Sequence, residues 1–549
     1  MTFQKASRFF NTIRYLKLRQ VVFRLYYRFA RVRPREYHDV RPRIWAVDWS
    51  APAWSELSTE DGIAFTFLGE KGYLADSADW HAGQHSKLWL YNLHYLDDLN
   101  AKNIDTTPAL AETLIQNWTQ ANPPISGNGW EPYPLSLRIV NLVKWFSRNE
   151  SLAGPRLNSL ATQADALSQQ LEYQILGNHL FANGKALVFV GAYLSGAKAD
   201  EWLAKGLQIL DEEIAEQFLQ DGGHFELSPM YHATLLWDMC DLVNLAQRSG
   251  LSDLTQRLPR WQAVIGRGLV WLRSMLHPDG KIGFFNDAAF GVAPDFMHIE
   301  EYAARLGISV TLGVAADSIA FLNSATGYAV VTPKTGVKAL LDLAQVGPDY
   351  QPGHAHADTL SFELSVFGQR LVVNSGTSQY GEGAERQRQR STGAHSTVEV
   401  AGRDSSEVWA GFRVARRARP AIERFDLQDG VSCIQASHNG YQRLSSSLFH
   451  RRTWTFSEEK LEMIDQVTSD QFVAVARLYI HPDVLLSQDA SRFVADMGAG
   501  KKVVIELSGA DQVRVVASTW HPGFGCSIAN QCIEATFSGR PLTTHIHWS

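Results

Sequence analysis

Four cysteines in 549 residues, Cys240, Cys433, Cys526 and Cys532, are too few and too scattered for a disulfide framework or a cysteine-rich zinc site. Absent too is any uninterrupted apolar stretch of the kind that a secretory signal or a membrane span requires. No sign of charge dominates: 51 Lys/Arg stand against 57 Asp/Glu, a formal balance of -6, so the chain gives no electrostatic reason to expect nucleic acid as a partner. Nor is it short of apolar groups, at 45% against 20% charged, and this excludes a disordered chain unable to offset its ordering entropy. What is present is enough chain for about three to four ordinary domains or two large ones. Aromatic residues, at 11%, suit a large mixed core or clefts whose rings stack on sugar faces.

The even charge balance fails in one place. Residues 1–35 carry ten Lys/Arg, interleaved with apolar residues, and no acidic residue occurs before Glu36. This pattern reads either as a basic helix packed on its own domain or as a segment that docks on an anionic membrane surface or partner.

From about residue 80 to 315 the apolar spacing is helical. Leu203, Leu207, Leu210, Ile214 and Phe218 form one stripe, and Leu135 to Phe146, Leu180 to Leu194, Leu235 to Leu245 and Val264 to Leu276 each predict a helix. Short connections fit antiparallel helix hairpins, bundled or curved into a toroid. After about residue 316 the period becomes two, with short runs such as Ala339 to Leu343, Leu360 to Phe367 and Leu371 to Val373, and LFHRRTWTFSEEKLEMIDQV predicts a hairpin. The expected organisation is a basic lead-in over 1–78, a helical domain over 79–315 and an antiparallel β-sandwich over 316–549, with a site in the cleft between the last two.

The most informative segment is GPDYQPGHAHADTLSFELSVFG. His354, His356 and Asp358 share parity with Leu360, Phe362, Leu364 and Val366, so a strand reaching that far back would face all seven one way. Two imidazoles at i and i+2 serve as metal ligands, as an acid/base pair, or as a hydrogen-bonded rim. A dinuclear HxHxDH hydrolase site would need His at 359, where this chain has Thr359. His356, Asn374 and His395 can converge on one ion from adjacent strands. In the helical half, Asn178 and His179 interrupt an apolar helix and need partners, whereas Asn183 lies off their face and reads as structural. Tyr231 and His232 open a helix after Ser228-Pro229, where a ring can point into a cleft or simply pack. Arg138 can clamp a substrate carboxylate or hold a structural ion pair, and Asp287 of the Asn286-Asp287 pair can cap or bridge helices.

Taken in order, GNHLFAN, DGGHFELSPMYH, FFNDAAFG, GHAHADTLSFEL, VVNSGTSQY and STGAHSTVEVAG resemble the heparinase II/III-like polysaccharide lyases over about residues 85–415. The resemblance implies an (α/α) toroid followed by an antiparallel β-sandwich. It also implies cleavage of uronic-acid polysaccharides, such as heparan sulfate, other glycosaminoglycans or alginate, by β-elimination. By similarity, Asn178 and His354 would hold the uronate carboxylate, and Tyr231 and His179 would supply the base and the acid, in either order. Arg138 and His232 are the expected substrate-binding residues. His356, Asn374 and His395 correspond to the structural metal site of the superfamily, for zinc or a similar divalent ion. This chain departs there, since members commonly have Asp where it has Asn374, and a weaker site, another ion or none would follow.

The basic start looks like that of heparinase-like proteins encoded alongside bacterial surface-polysaccharide assembly. A location in the bacterial cytoplasm or at the inner membrane is therefore expected. The expected partners are an acidic polysaccharide or oligosaccharide, with peripheral membrane contact and a homodimer as further options. Two rivals stand beside the lyase: a non-catalytic glycan-binding or assembly factor, and a metal-dependent hydrolase using His354, His356 and Asp358.

Overall fold

The computed structural model describes residues 3–149, 153–154, 156–309 and 319–548. Its helices come first. The stripe at Leu203, Leu207, Leu210 and Ile214 is the buried face of the helix Ala197–Gln217, which lies against Gly177–Tyr193. Glycines set how closely this pair packs: a Cβ at Gly206 would stand 2.7 Å from the carbonyl of Gly184, and one at Gly191 would stand 2.5 Å from the amide of Leu203. In Gly177–Tyr193 every residue except His179 is buried. A helix buried on nearly every side thus becomes a central wall, with His179 left at its edge.

Charge also holds the helical half together. The fully buried Asp241 of Pro229–Ser249 accepts from Lys144 of Pro132–Phe146 at 2.5 Å and from Lys185 of Gly177–Tyr193 at 2.6 Å. Tyr302 of Phe296–Arg305 donates to its other oxygen at 3.0 Å. Burial alone would raise the Asp241 carboxyl, but the two ammonium groups outweigh it and hold its pKa below the ordinary aspartate value.

Apart from an early hairpin, Ala64–Phe67 with Glu70–Tyr73, the strands begin at Ala320, and they form two large antiparallel sheets and the short pair Val408–Trp409 with Arg413–Val414. The inner sheet runs in the order Gln512–Trp520, Ile528–Phe537, Ala474–Ile480, Gln369–Val373, Phe362–Val366, Lys338–Asp342, Tyr328–Val331 and Ala320–Asn323, with Val398–Val400 also paired to Ala474–Ile480. The outer sheet has eight strands and includes the expected hairpin His450–Phe456 and Lys460–Val467. Alternate residues of the inner sheet serve two cores. Leu341, Phe362 and Leu364 pack towards Trp454 and Ile546 of the outer sheet, whereas Tyr328, Val330 and Leu340 pack towards the helices. A sheet covered on both faces explains why Phe362–Val366 is buried at every position rather than at every second one.

Helices α1 (Phe3–Ile13) and α2 (Leu18–Phe29) lie across both halves. Thr12 of α1 accepts from Trp409 Nε1 at 3.2 Å, and Gln20 of α2 donates to the carbonyls of Ile175 and Tyr350, each at 3.3 Å. Among the described residues no helix is long and apolar enough to cross a membrane.

Candidate functional site

A cleft of about 970 Å³ opens where helices, inner-sheet loops and the α1/α2 pair meet. Asn178, His179, Tyr231 and His354 all line it, the first three from the helical half and the last from the sheet half. Local sequence explains each placement. Leu176 and Gly177 both take positive φ, at 71° and 59°, and turn the chain so that the helix starts with Asn178 and His179 at the cleft wall. Ser228 caps the helix Pro229–Ser249 by accepting the Tyr231 amide at 3.2 Å, with Pro229 in the first turn.

Asp287 organises the centre. One carboxylate oxygen accepts from His354 Nδ1 at 2.9 Å and from Arg386 Nη2 at 2.7 Å, and the other takes His356 Nε2 at 2.8 Å together with Arg386 Nη1. Its backbone amide donates to the His354 carbonyl at 2.9 Å, and its carbonyl accepts from Ser228 Oγ at 2.5 Å. Burial would raise this carboxyl, yet Arg386 and the two imidazoles hold it well below the usual carboxylate range. Neighbouring Asn286, at a φ of 56° that Asn tolerates better than most residues, accepts the His356 amide at 3.0 Å and donates to the Leu227 carbonyl at 2.9 Å. The Asn286-Asp287 pair is therefore a clamp between helices and sheet.

Around His354 the Tyr231 ring lies 3.9 Å away, centroid to centroid, and the Tyr231 and Tyr380 hydroxyls are 2.8 Å apart. Burial, with Tyr380 and Asp287 adding to it, pushes the Tyr231 phenol well above its ordinary value, so it carries its proton. A carboxylate oxygen of buried Glu226 stands 3.7 Å from His354 Nε2, and burial raises the Glu226 carboxyl. His179 donates from Nδ1 to Glu172 at 2.9 Å, and its ring lies 4.4 Å from that of Tyr133. Burial disfavours the charged imidazole, but Glu172 more than offsets it and lifts the His179 pKa above the ordinary value. Glu172 is itself fixed by Asn183, which donates to it at 3.1 Å and accepts its backbone amide at 2.7 Å, consistent with a structural Asn183.

Three expectations need correction. Arg138 does not reach the cleft. It is fully buried, stacks 3.7 Å from Trp118 and spends its guanidinium on Gln163 at 2.9 Å and on the carbonyls of His94 at 2.9 Å and Gly129 at 2.7 Å. His232 points about 100° round the helix from Tyr231, into the helical core rather than the cleft, and its Nε2 bonds the Gly268 carbonyl at 2.9 Å. Burial pushes it down to about 4. Asn374 is occupied by the backbone, donating to the Phe284 carbonyl at 2.9 Å and accepting the Ser396 amide at 3.1 Å.

Among the described residues, ligand atoms of His356, Asp358 and His395 gather within 4.8 Å of one another, so a carboxylate from Asp358 joins the two expected imidazoles. His356 Nδ1 and His395 Nε2 are 3.2 Å apart, close to the about 3.3 Å between two imidazole nitrogens on a tetrahedral zinc. His395 Nδ1 is buried without a partner. Two neutral imidazoles and a carboxylate fit a zinc-type ion.

Sequence reasoning passed over Glu172, Glu226, Tyr380 and Arg386. The available signals were that Glu226 lies within the quoted DGGHFELSPMYH, that Tyr380 ends the quoted VVNSGTSQY segment and that Arg386 and Arg390 lie four apart on one buried face of the helix Ala384–Arg390.

Known proteins resemble the chain along both halves. The model of the heparinase II/III N-terminus matches residues 113–302, and the heparinase II/III-like C-terminal model matches residues 316–549. The heparin-sulfate lyase of Bacteroides stercoris is 23% identical over 360 residues, covering 62% of this chain and 51% of that protein. The heparin-sulfate lyase of Pedobacter heparinus is 27% identical over 295 residues, covering 49% of this chain and 43% of that protein. The chain thus spans about half the length of these curated relatives. In fold, a crystal structure of heparinase III superposes with a TM-score of 0.66 at 16% identity, covering 89% of this chain and 80% of that one. With both halves matched in the same order, helices and then antiparallel sheets, the chain belongs to the heparinase II/III-like family.

Proposed function

We propose that this chain is a polysaccharide lyase that cleaves a uronic-acid-containing polysaccharide, of the glycosaminoglycan or alginate type, by β-elimination. The observation that carries the reading is the meeting of Asn178, His179, Tyr231 and His354 on one cleft wall. The C5 proton of a uronate is very weakly acidic, so its removal needs the adjacent carboxylate neutralised by donors in place beforehand. Asn178 and the Nε2 side of His354 suit that task, since Asp287 takes the Nδ1 side of the ring. The protonation states then divide the remaining roles. His179, backed by Glu172, takes the proton from C5 as the C4–O4 bond breaks and the C4=C5 double bond forms. Tyr231, which holds its proton, delivers it to the departing O4. The relatives' heparin-sulfate lyase activity supports a sulfated glycosaminoglycan as the first substrate to try.

The test is incubation with heparan sulfate, chondroitin, hyaluronan and alginate while following ultraviolet absorbance of the unsaturated uronate. A rise on one of them is expected, and calorimetric binding without any absorbance change would favour a glycan-binding factor instead. The role of His179 gives a sharper check. A base must be neutral, and Glu172 stabilises its charged form, so kcat/KM should fall as pH drops through a value above the ordinary imidazole range. Glu172→Gln removes that stabilisation and should move the acid limb of the profile to lower pH; an unmoved limb would assign the base elsewhere.

In this reading His356, Asp358 and His395 would hold a divalent ion. When bound, such an ion would cross-link the loop that carries His354 and His356 to His395. Zinc should raise the melting temperature of chelator-treated protein, and His395→Ala should abolish that rise.

A further inference from the structure

α2 turns a row of large apolar side chains to solvent. Its inner side carries Gln20, buried and bonded to two carbonyls, Phe23, whose ring lies 4.6 Å from that of Tyr173, and Tyr27, which donates to the Leu171 carbonyl at 2.5 Å. Its apolar side faces out. Leu18, Leu25 and Phe29 are 77%, 60% and 79% exposed, and Val22 lies between them on the same stripe. Phe10 of α1 is also exposed, at 62%. An apolar stripe of this kind on a surface helix marks a contact that the isolated chain does not make.

The charges around the stripe say what covers it. All ten basic residues of 1–35 are concentrated here without one acidic residue, in a chain otherwise more acidic than basic. Lys17 and Arg19 pair with Glu216 and Glu212. Arg28, Arg31 and Arg33 are exposed just past the stripe, and no ion pair among the described residues engages their side chains. A second copy of this chain would bring the same positive charge against itself, whereas an anionic lipid surface complements both the stripe and its rim. We propose that the α1/α2 pair docks this chain on an anionic bilayer, with the stripe in the interface and the arginines among the headgroups. Phe9, Ile13 and Leu16 of the same pair line the cleft, so docking places the cleft about one helix diameter, ~10 Å, from the lipid.

The experiment is flotation of the full chain with vesicles of equimolar phosphatidylglycerol and phosphatidylcholine, and with vesicles of phosphatidylcholine alone. Recovery is expected on the anionic vesicles, weakening as salt rises. The double variant Leu25→Glu/Phe29→Glu and, separately, Arg28→Glu/Arg31→Glu/Arg33→Glu should each reduce it about tenfold or more, with melting temperatures unchanged. Equal recovery on both vesicle types, no recovery on either, or full binding by either variant would overturn the proposal. So would a dimer in solution that Leu25→Glu/Phe29→Glu converts to monomer, because the stripe would then belong to a second copy.

Discussion

Tyr231→Phe is expected to leave the fold and glycan binding intact and to lower turnover by about 10²–10⁴, the range for loss of a positioned proton donor. The ring would keep its place over His354, 3.9 Å between centroids, so only the hydroxyl is removed. Tyr380→Phe is the control. It removes the 2.8 Å partner of the Tyr231 hydroxyl without removing the proton that is delivered, so its effect should be much smaller. Loss of binding in parallel with turnover for Tyr231→Phe would indicate a positioning role, and undiminished turnover would exclude Tyr231 as the acid.

The largest effect on stability should come from Asp287→Ala. The substitution leaves Arg386, fully buried, without the only carboxylate paired with it among the described residues, and it removes the Asp287 bonds of both His354 and His356. Removing one member of a buried pair costs about 3–5 kcal/mol because the other charge stays buried and uncompensated. A marked fall in melting temperature is expected, together with loss of turnover even in the folded fraction. The double variant Asp287→Ala/Arg386→Met removes both charges and should recover part of the stability but none of the activity. If Asp287→Ala melts as the parent does, the clamp between the two halves is not what holds the site.

The architecture could be read from the chain because periodicity carries it. The stripe from Leu203 to Ile214 has one explanation, and the strands Lys338–Asp342 and Gln369–Val373 lie at the short β-type runs expected at Ala339 to Leu343 and Leu371 to Val373. Parity misled at the histidines, since Leu360 has a φ of 62° and the strand starts only at Phe362. His354, His356 and Asp358 therefore sit on a loop, and their directions are set by Asp287 and Asn286 rather than by a pleat. Arg138 misled for a different reason. Two of its partners are main-chain carbonyls, which leave no mark in a sequence, so a buried strut looked the same as a substrate clamp. Glu172 was hidden by the turn at Leu176 and Gly177, which folds a residue seven positions upstream back onto His179.

One residue of the helical half, Asp287, grips the sheet-half histidines and, through Ser228, the start of the Tyr231 helix. The halves are accordingly poor modules for exchange. A hybrid joining the helices of one relative to the sheets of another between Arg305 and Ala320 would inherit a lock from one parent and its keyhole from the other, so these two regions must diverge together or lose their shared centre.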